Sequence, residues 1–444
     1  MRTRSALAAL AAVGVALTSG CGDSGQPLRI GVAVDCVGIN RSLRDAELSG
    51  AQLPLIERGA RQRGRRAADG LDPVEIAGRP VELVPGCSEI SEFSTLTTEV
   101  RRMAQLEHAD AVVAGGGGAD QVVLREVAKL YPRVAFLGAV HGPREATLRS
   151  RAPNLFRVGA DEAQGVAGLA DYVYRTLGWR RAAIVFAHWD AGWDARDAFA
   201  AEFCALGGRV TSQTGVEFFD PTGADANKVP PGVDGVAVFA SRFFGPEQFL
   251  KRLPGRVGDR GSRIVLGPGL MGDPALLRTV GAPLRGASGT TYDQPARLRS
   301  YLRRYAAAFP GASRDVASGD LVTGYHDAVE AIVRALERAD GDPGRLRAEL
   351  GGLRTELLAG PVRLDANGQA VVAPSLVRLT RDGAIERIGR PPAVDQSIGG
   401  RLPASLSPDS RPVACRSGGD GDAPGEAGVV GAGGEPAGTQ AAPD

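Results

Sequence analysis

Short apolar runs recur along the chain with little polar alternation: Leu28–Val34, Val81–Val84, Ala111–Ala114, Val134–Leu137, Ala182–Phe186, Val236–Phe239 and Ile264–Leu266. Each is too short for a helix, and most are rich in Val or Ile. A strand that is apolar on both faces is covered on both faces, as in parallel sheets flanked by crossover helices. Helical spacing fills most of the intervals. Leu96, Val100 and Met103 stand at i, i+4 and i+7, and Phe199, Phe203 and Leu206 repeat that spacing. Val329, Ile332, Val333 and Leu336 stand at i, i+3, i+4 and i+7. The alternation predicts an α/β fold with two open, doubly wound parallel sheets. Gly360–Ile388 changes character: Asn367-Gly368 and Arg381-Asp382-Gly383 are turn signals between short β-like runs and predict hairpins.

The ends of the chain read differently. Arg2 and Arg4 precede Ala6–Leu17, an apolar run well short of the ~20 residues that span a bilayer. Thr18, Ser19 and Gly20 then lead to Cys21. The pattern predicts a signal peptide over 1–20 ending in a lipobox, after which Cys21 is diacylated and becomes the new N-terminus. Leu17 stands four places before the cysteine, where a lipobox usually has it at three, so an ordinary signal peptide with an incidental cysteine is the alternative. Loss of residues 1–20 takes the side-chain charge from +1 to −1. Residues 21–27 read as a lipidated tether, 393–416 as a C-terminal extension and 417–444, rich in Gly, Pro and Ala, as a disordered tail.

Length and charge narrow the class. A chain of 444 residues accommodates two domains plus tails. With 52 basic and 51 acidic residues it lacks the bias of a nucleic-acid binder or a polybasic membrane-surface protein. Beyond Cys21 the chain keeps Cys36, Cys87, Cys204 and Cys415, which outside the cytoplasm imply two disulfides. No pair has CxxC spacing, which argues against a zinc or redox motif. Cys36 ends the first predicted strand and Cys87 follows the second, and adjacent ends of parallel strands lie close. The expected pairs are therefore Cys36–Cys87 and, as the remainder, Cys204–Cys415.

Catalytic patterns are absent from the sequence. There is no HExxH, no GxSxG, no calcium loop and no two His at metal-ligand spacing. The expectation is a protein without metal or cofactor that is not an enzyme. Gly115–Gly118 followed by Ala119-Asp120 lies between a strand and a helix but lacks GK[ST] and is not GxGxxG. Its place is the carboxyl edge of a parallel sheet, where α/β folds bind ligands, so Gly117, Gly118 and Ala119 are candidate backbone donors. Val140 and His141 hold the matching place after the next strand. If His141 lines a cleft, its ordinary pKa near 6.5 predicts affinity that changes between about pH 5 and 8. Aromatic residues are only 5% of the chain, yet Trp189 and Trp193 follow one strand and Phe243 and Phe244 another. Trp189, Trp193 and Phe243 are candidate pocket walls.

These residues together resemble a known family. The lipobox, Leu28-Arg29-Ile30-Gly31-Val32-Ala33-Val34 and Ser49-Gly50-Ala51-Gln52 resemble the opening of type I periplasmic binding proteins, the substrate-binding subunits of ABC transporters of the leucine/isoleucine/valine group. The likeness continues through Asn154-Leu155-Phe156-Arg157-Val158, Asp161, Gln164-Gly165, Ala187 to Gly192, Phe199 and Gly267-Pro268. It returns in Val322 to Leu336, Gly360-Pro361-Val362, Asp365 and Asn367-Gly368, and so covers about residues 28–390. It implies two α/β lobes, 28–156 with 291–360 and 157–290 with 361–392, joined by a three-strand hinge that closes on a solute. It also implies a monomer that delivers its solute to an ABC permease, with membrane contact through the lipid anchor and none with nucleic acid.

The family's amino-acid receptors hold the α-carboxylate in lobe 1 and the α-ammonium on an acid of lobe 2. Here the matching positions fall near Gly118, His141, Ala191 and, for the acid, Gly269. A desolvated ammonium without a carboxylate costs several kcal/mol. A plain branched-chain amino acid therefore fits poorly, and Asp35, Asp45, Asp190 or Asp293 is left to supply a charge. The solute expected is small and polar: amino-acid-like, an amide or a short acid. A ligand-sensing receptor domain of the same fold, or a degenerate member that binds no small molecule, remains open at this stage.

Overall fold

A computed structural model of the chain describes residues 26–89, 92–115, 120–148, 152–217, 226–241, 245–258 and 261–402. The signal peptide, Cys21, Cys415 and the tail over 417–444 lie outside them, as do Gly117, Gly118, Ala119 and Phe243. The first sheet contains β1 (Leu28–Asp35), β2 (Val74–Ile76), β3 (Arg79–Ser88), β4 (Ala111–Ala114), β5 (Ala135–Gly138) and β6 (Leu155–Arg157), in the order β2-β3-β1-β4-β5-β6. Only β2 runs antiparallel to its neighbour. Leu28, Ile30, Val32, Ala33 and Val34 of β1 are wholly buried, with side chains divided between the cores on the two faces of the sheet. That is why the run shows no polar alternation.

The second sheet is built from β7 (Arg181–Ala187), β8 (Arg209–Val216), β9 (Gly235–Phe239), β10 (Ile264–Leu266) and β11 (Ser288–Thr291), all parallel. Three further strands, β12 (Arg354–Leu357), β13 (Gly360–Leu364) and β14 (Ala370–Val371), form a small antiparallel sheet. The hairpin β15 (Ser375–Leu379) and β16 (Ile385–Gly389) joins the second sheet antiparallel to β11. The molecule is thus an α/β protein of two lobes, each a largely parallel sheet covered by helices.

Four strands escaped the sequence pattern for identifiable reasons. β8 reads Arg-Val-Thr-Ser-Gln-Thr-Gly-Val because it is a half-exposed edge strand. β2 and β6 are three-residue edge strands. β11 is buried along its whole length yet reads Ser-Gly-Thr-Thr. At Gly289 there is no room for a side chain: a Cβ there would stand 2.3 Å from the carbonyl oxygen of Leu266 on the adjacent strand.

The chain crosses between the sheets after Arg157, after Thr291 and between Val372 and Ser375. The expectation placed the last boundary at 360/361. Val362, Ala370 and Val372 instead pack in the core of the first sheet, and the second sheet is re-entered only at Ser375. The C-terminal extension is held down through residue 402: Ile398 and Leu402 are buried in the second lobe's core. Gln396 Nε2 bridges the lobes, donating to Thr147 Oγ1 (2.8 Å) in the first and to Asp161 Oδ2 (2.8 Å) where the chain enters the second.

Cys36 and Cys87 form a disulfide with a Cα–Cα distance of 5.3 Å. The register explains it, since β1 and β3 pair Val34 with Cys87 and Asp35 with Ser88. Cys204 is also disulfide-bonded. Its expected partner, Cys415, lies outside the described residues.

Candidate functional site

The carboxyl ends of the parallel strands of both lobes open onto one cavity of about 940 Å³. Val140 and His141 follow β5, Trp189 follows β7, and Ala240 and Ser241 follow β9. Gly267, Pro268 and Gly269 follow β10, and Tyr292 and Asp293 follow β11. Strand ends are where such sheets place ligands, because the strand stops and the side chains of its outgoing loop are released from the ladder. The long helix Asp320–Arg338 adds Asp320 at its first turn, where an acid is favoured by the helix dipole. An ion pair between Arg278, on a helix packed on the second sheet, and Asp315, on a short helix packed on the first, ties the two sides of the cavity together.

At the base of the cavity three side chains form one unit. His141 is 9% exposed and stacks on Tyr292, ring centroids 3.3 Å apart and planes 14° off parallel. Its Nδ1 lies 3.0 Å from the carbonyl oxygen of Ala160. A carbonyl only accepts, so Nδ1 carries the proton and donates. Burial, against the pull of that hydrogen bond, lowers the His141 pKa to about 3. The ring is therefore neutral and Nε2 holds a lone pair. This overturns the expectation that His141 titrates between pH 5 and 8. Tyr292 spends its own proton on Glu162, donating to Oε2 at 2.5 Å.

The carboxylates are the unusual feature. Burial raises Glu162 to about 8, against the hydrogen bond from Tyr292 and with the further push of Asp320, Asp194 and Asp161. Asp293 is raised to about 8 by burial and by Asp327, against a hydrogen bond from Thr323. Neither is in an ion pair among the described residues. The cavity's arginines, Arg278, Arg285, Arg299 and Arg314, are all exposed. Two buried arginines stand nearby: Arg157, its guanidinium occupied by Gln369, Gln121, Thr147 and the carbonyl of Pro143, and Arg144, which acts on Asp161 and Asp194.

A stability profile follows from these shifts. A carboxyl raised in the folded state stabilises it fully below its unfolded pKa, 4.5 for Glu and 3.8 for Asp, and loses that contribution as pH rises through about 8. Asp194, raised by burial to about 7, acts the same way. His141 opposes only at acid pH: its contribution is complete above 6.5 and lost as pH falls through about 3. The melting temperature of the ligand-free protein should therefore fall from pH 6.5 to 8. Scanning calorimetry across that window checks it, and a flat or rising profile rejects the assignment.

Of the residues expected at the site, Val140, His141, Trp189 and Gly269 line the cavity. Trp193 does not: it packs against the second lobe's core and meets His188 edge-on, ring centroids 5.5 Å apart. Trp189 is the extended N-cap of the helix Asp190–Ala205, whereas Trp193 lies one turn inside that helix. Of the four acids considered as replacement charges, Asp293 lines the cavity, and Asp35, Asp45 and Asp190 do not. Asp35 instead accepts a hydrogen bond from Asn40 (2.9 Å). Glu162, Tyr292 and Asp320 were missed. Glu162 had a signal, standing between Asp161 and Gln164 of the resemblance; Tyr292 follows a strand that no apolar run announces. Among the described residues no group of three or more His, Cys, Asp or Glu is arranged to hold a metal ion, and no helix is long and apolar enough to cross a membrane.

A family model described as periplasmic binding protein matches residues 27–384. The chain belongs to the periplasmic binding protein family. A search of curated protein sequences returns no match. Among solved structures, an ABC transporter substrate-binding protein from Sphaerobacter thermophilus superposes with a TM-score of 0.69 at 21% identity, covering 84% of this chain and 99% of that one. A solute-binding protein of an ABC transporter from R. palustris, in complex with benzoate, gives 0.67 at 20% identity over 83% and 98%. A branched-chain amino acid transporter substrate-binding protein from Streptococcus pneumoniae, in complex with isoleucine, gives 0.63 at 17% identity over 82% and 100%. At these identities the likeness is one of fold, and the fold is that of type I periplasmic binding proteins. Membership in the family carries a solute-binding role and a location outside the cytoplasm.

Proposed function

We propose that this periplasmic binding protein is a lipid-anchored lipoprotein that captures a small polar solute between its lobes and delivers it to an ABC permease. The observation that carries the reading is the cavity where the strand ends of both lobes meet, walled by side chains from each. Its neighbours in fold bind solutes as different as benzoate and isoleucine, which supports a common transport role with divergent pockets. Within that role the motif order resembles the leucine/isoleucine/valine group, and the sequence departs from that group's ligand anchors at Gly118, His141, Ala191 and Gly269.

Two measurements test the proposal. A thermal-shift screen with amino acids, amines, amides, short acids and aromatic acids should return at least one class that raises the melting temperature. A panel with no hit in any class rejects solute capture. Labelled palmitate should enter the wild-type chain and be lost in Cys21→Ser; equal labelling of the two rejects the anchor.

A further inference from the structure

Resting on the solute-binding reading, we propose that the solute is an organic cation carrying several N–H donors, an ammonium or guanidinium compound, held by Glu162 and Asp293 with His141 Nε2 as a third acceptor. The argument begins with hydrogen-bond supply. Ala160 takes the only proton of the His141 ring, so Nε2 is left as an acceptor on a residue that lines the cavity, and it makes no hydrogen bond to the protein among the described residues. The ring is nine-tenths buried and stacked on Tyr292, and turning it would strand the Ala160 carbonyl. Tyr292 has given its proton to Glu162. The Thr291 hydroxyl donates to the carbonyl of Asp293 (2.9 Å), and that of Thr323 to the Asp293 carboxylate. Tyr292, Thr291 and Thr323 thus spend their hydroxyl protons within the protein, so once Glu162 and Asp293 give up their own protons this part of the cavity offers acceptors.

Charge points the same way. Glu162 and Asp293 face Asp161, Asp194, Asp320 and Asp327. Of the two buried arginines behind them, Arg157 is saturated by neutral acceptors, and Arg144 acts on Asp161 and Asp194. Burial, with the push of the neighbouring acids, keeps these carboxyls protonated, and a carboxylate ligand would add to that push, whereas a bound cation offsets it and favours their charged form. The binding step balances simply: each acid releases its proton to solvent as the N–H donors of the ligand replace it, with no bond of the ligand made or broken. Affinity therefore rises with pH from 6 to 8.5, and binding near neutrality releases protons.

The test is calorimetry of the full chain with agmatine, putrescine and methylguanidine, against benzoate and isoleucine, in two buffers of different ionisation enthalpy. The expected result is binding by at least one of the cations, proton release at pH 7, tighter binding at pH 8.5 than at 6, and a loss of about tenfold or more for Glu162→Gln and for Asp293→Asn. If either variant fails to fold, the proton count on the unsubstituted chain decides. Binding of benzoate or isoleucine without any cation overturns the inference and leaves solute capture standing. Cation binding with no proton release, or undiminished in both variants, overturns the assignment to these acids. No binding by any cation overturns the inference as well, and the wider thermal-shift panel then decides whether solute capture falls with it.

Discussion

Replacing Cys36 and Cys87 together by Ser should lower the free energy of unfolding by about 4 kcal/mol. The bridge closes a loop of sequence separation 51, and the entropy it removes from the unfolded chain grows with the logarithm of that length. The folded side gives little back, because the parallel register already brings the two strand ends together: Cys36 N donates to Ser88 O at 3.1 Å without help from the sulfurs. The loss should therefore appear in stability with the cavity unchanged. Urea unfolding of the double variant beside the oxidised wild type measures it, and a difference below about 1 kcal/mol would show that the unfolded chain is already constrained in this region.

Arg157→Ala should cost about 3–5 kcal/mol, the range for removing one member of a buried charged network. The side chain is 1% exposed at the end of β6. Its Nε donates to Gln369 Oε1 (2.6 Å), one terminal nitrogen to Gln121 Oε1 (2.9 Å) and Pro143 O (3.0 Å), and the other to Thr147 Oγ1 (3.2 Å). These acceptors come from four places in the chain that meet where it first crosses between the lobes. Truncation takes the guanidinium donors from all four acceptors, leaving Gln369 and Thr147 only their bonds from Thr147 and Gln396, and removes one of the two cations, with Arg144, that offset the burial of Asp161 and Asp194. Arg157→Lys should recover little, since a point charge on a flexible stem does not serve four acceptors spread around a planar fork. Gln121 also donates to the carbonyl of Val140, so the loop bearing His141 should loosen in the variant. Denaturant unfolding gives the energy, and hydrogen exchange around residues 140–142 reads the local effect. A loss under about 1 kcal/mol with unchanged exchange would reject this role.

Much of the architecture was legible in the chain because buried parallel strands carry a signal that needs no partner to be read. Leu28–Val34, Ala111–Ala114 and Ile264–Leu266 are strands where their runs predicted them, and the turns at Asn367-Gly368 and Arg381-Asp382-Gly383 bound the expected hairpins. The Cys36–Cys87 bridge followed from strand order alone. The site was legible only as an address. The rule that ligands sit at carboxyl strand ends pointed to Val140, His141 and Trp189, and the resemblance to Gly269; all four line the cavity, because the position of a loop is set by the strand before it.

What the loops do there was decided by tertiary contacts. β11 reads Ser-Gly-Thr-Thr, with Gly289 where its neighbour leaves no room for a side chain, so no apolar run announces Tyr292 and Asp293 behind it. Trp189 and Trp193 look alike in the sequence, but Trp189 is the extended cap before the helix and lines the cavity, while Trp193 lies inside the helix and packs on the core of the second lobe. The state of His141 depends on a carbonyl 19 residues away and a ring 151 residues away, as the charge on Glu162 depends on acids from several other elements. Periodicity reports which face of an element is buried. Protonation and hydrogen-bond polarity depend on which groups share that burial, and only the folded chain brings those groups within a few ångströms of one another.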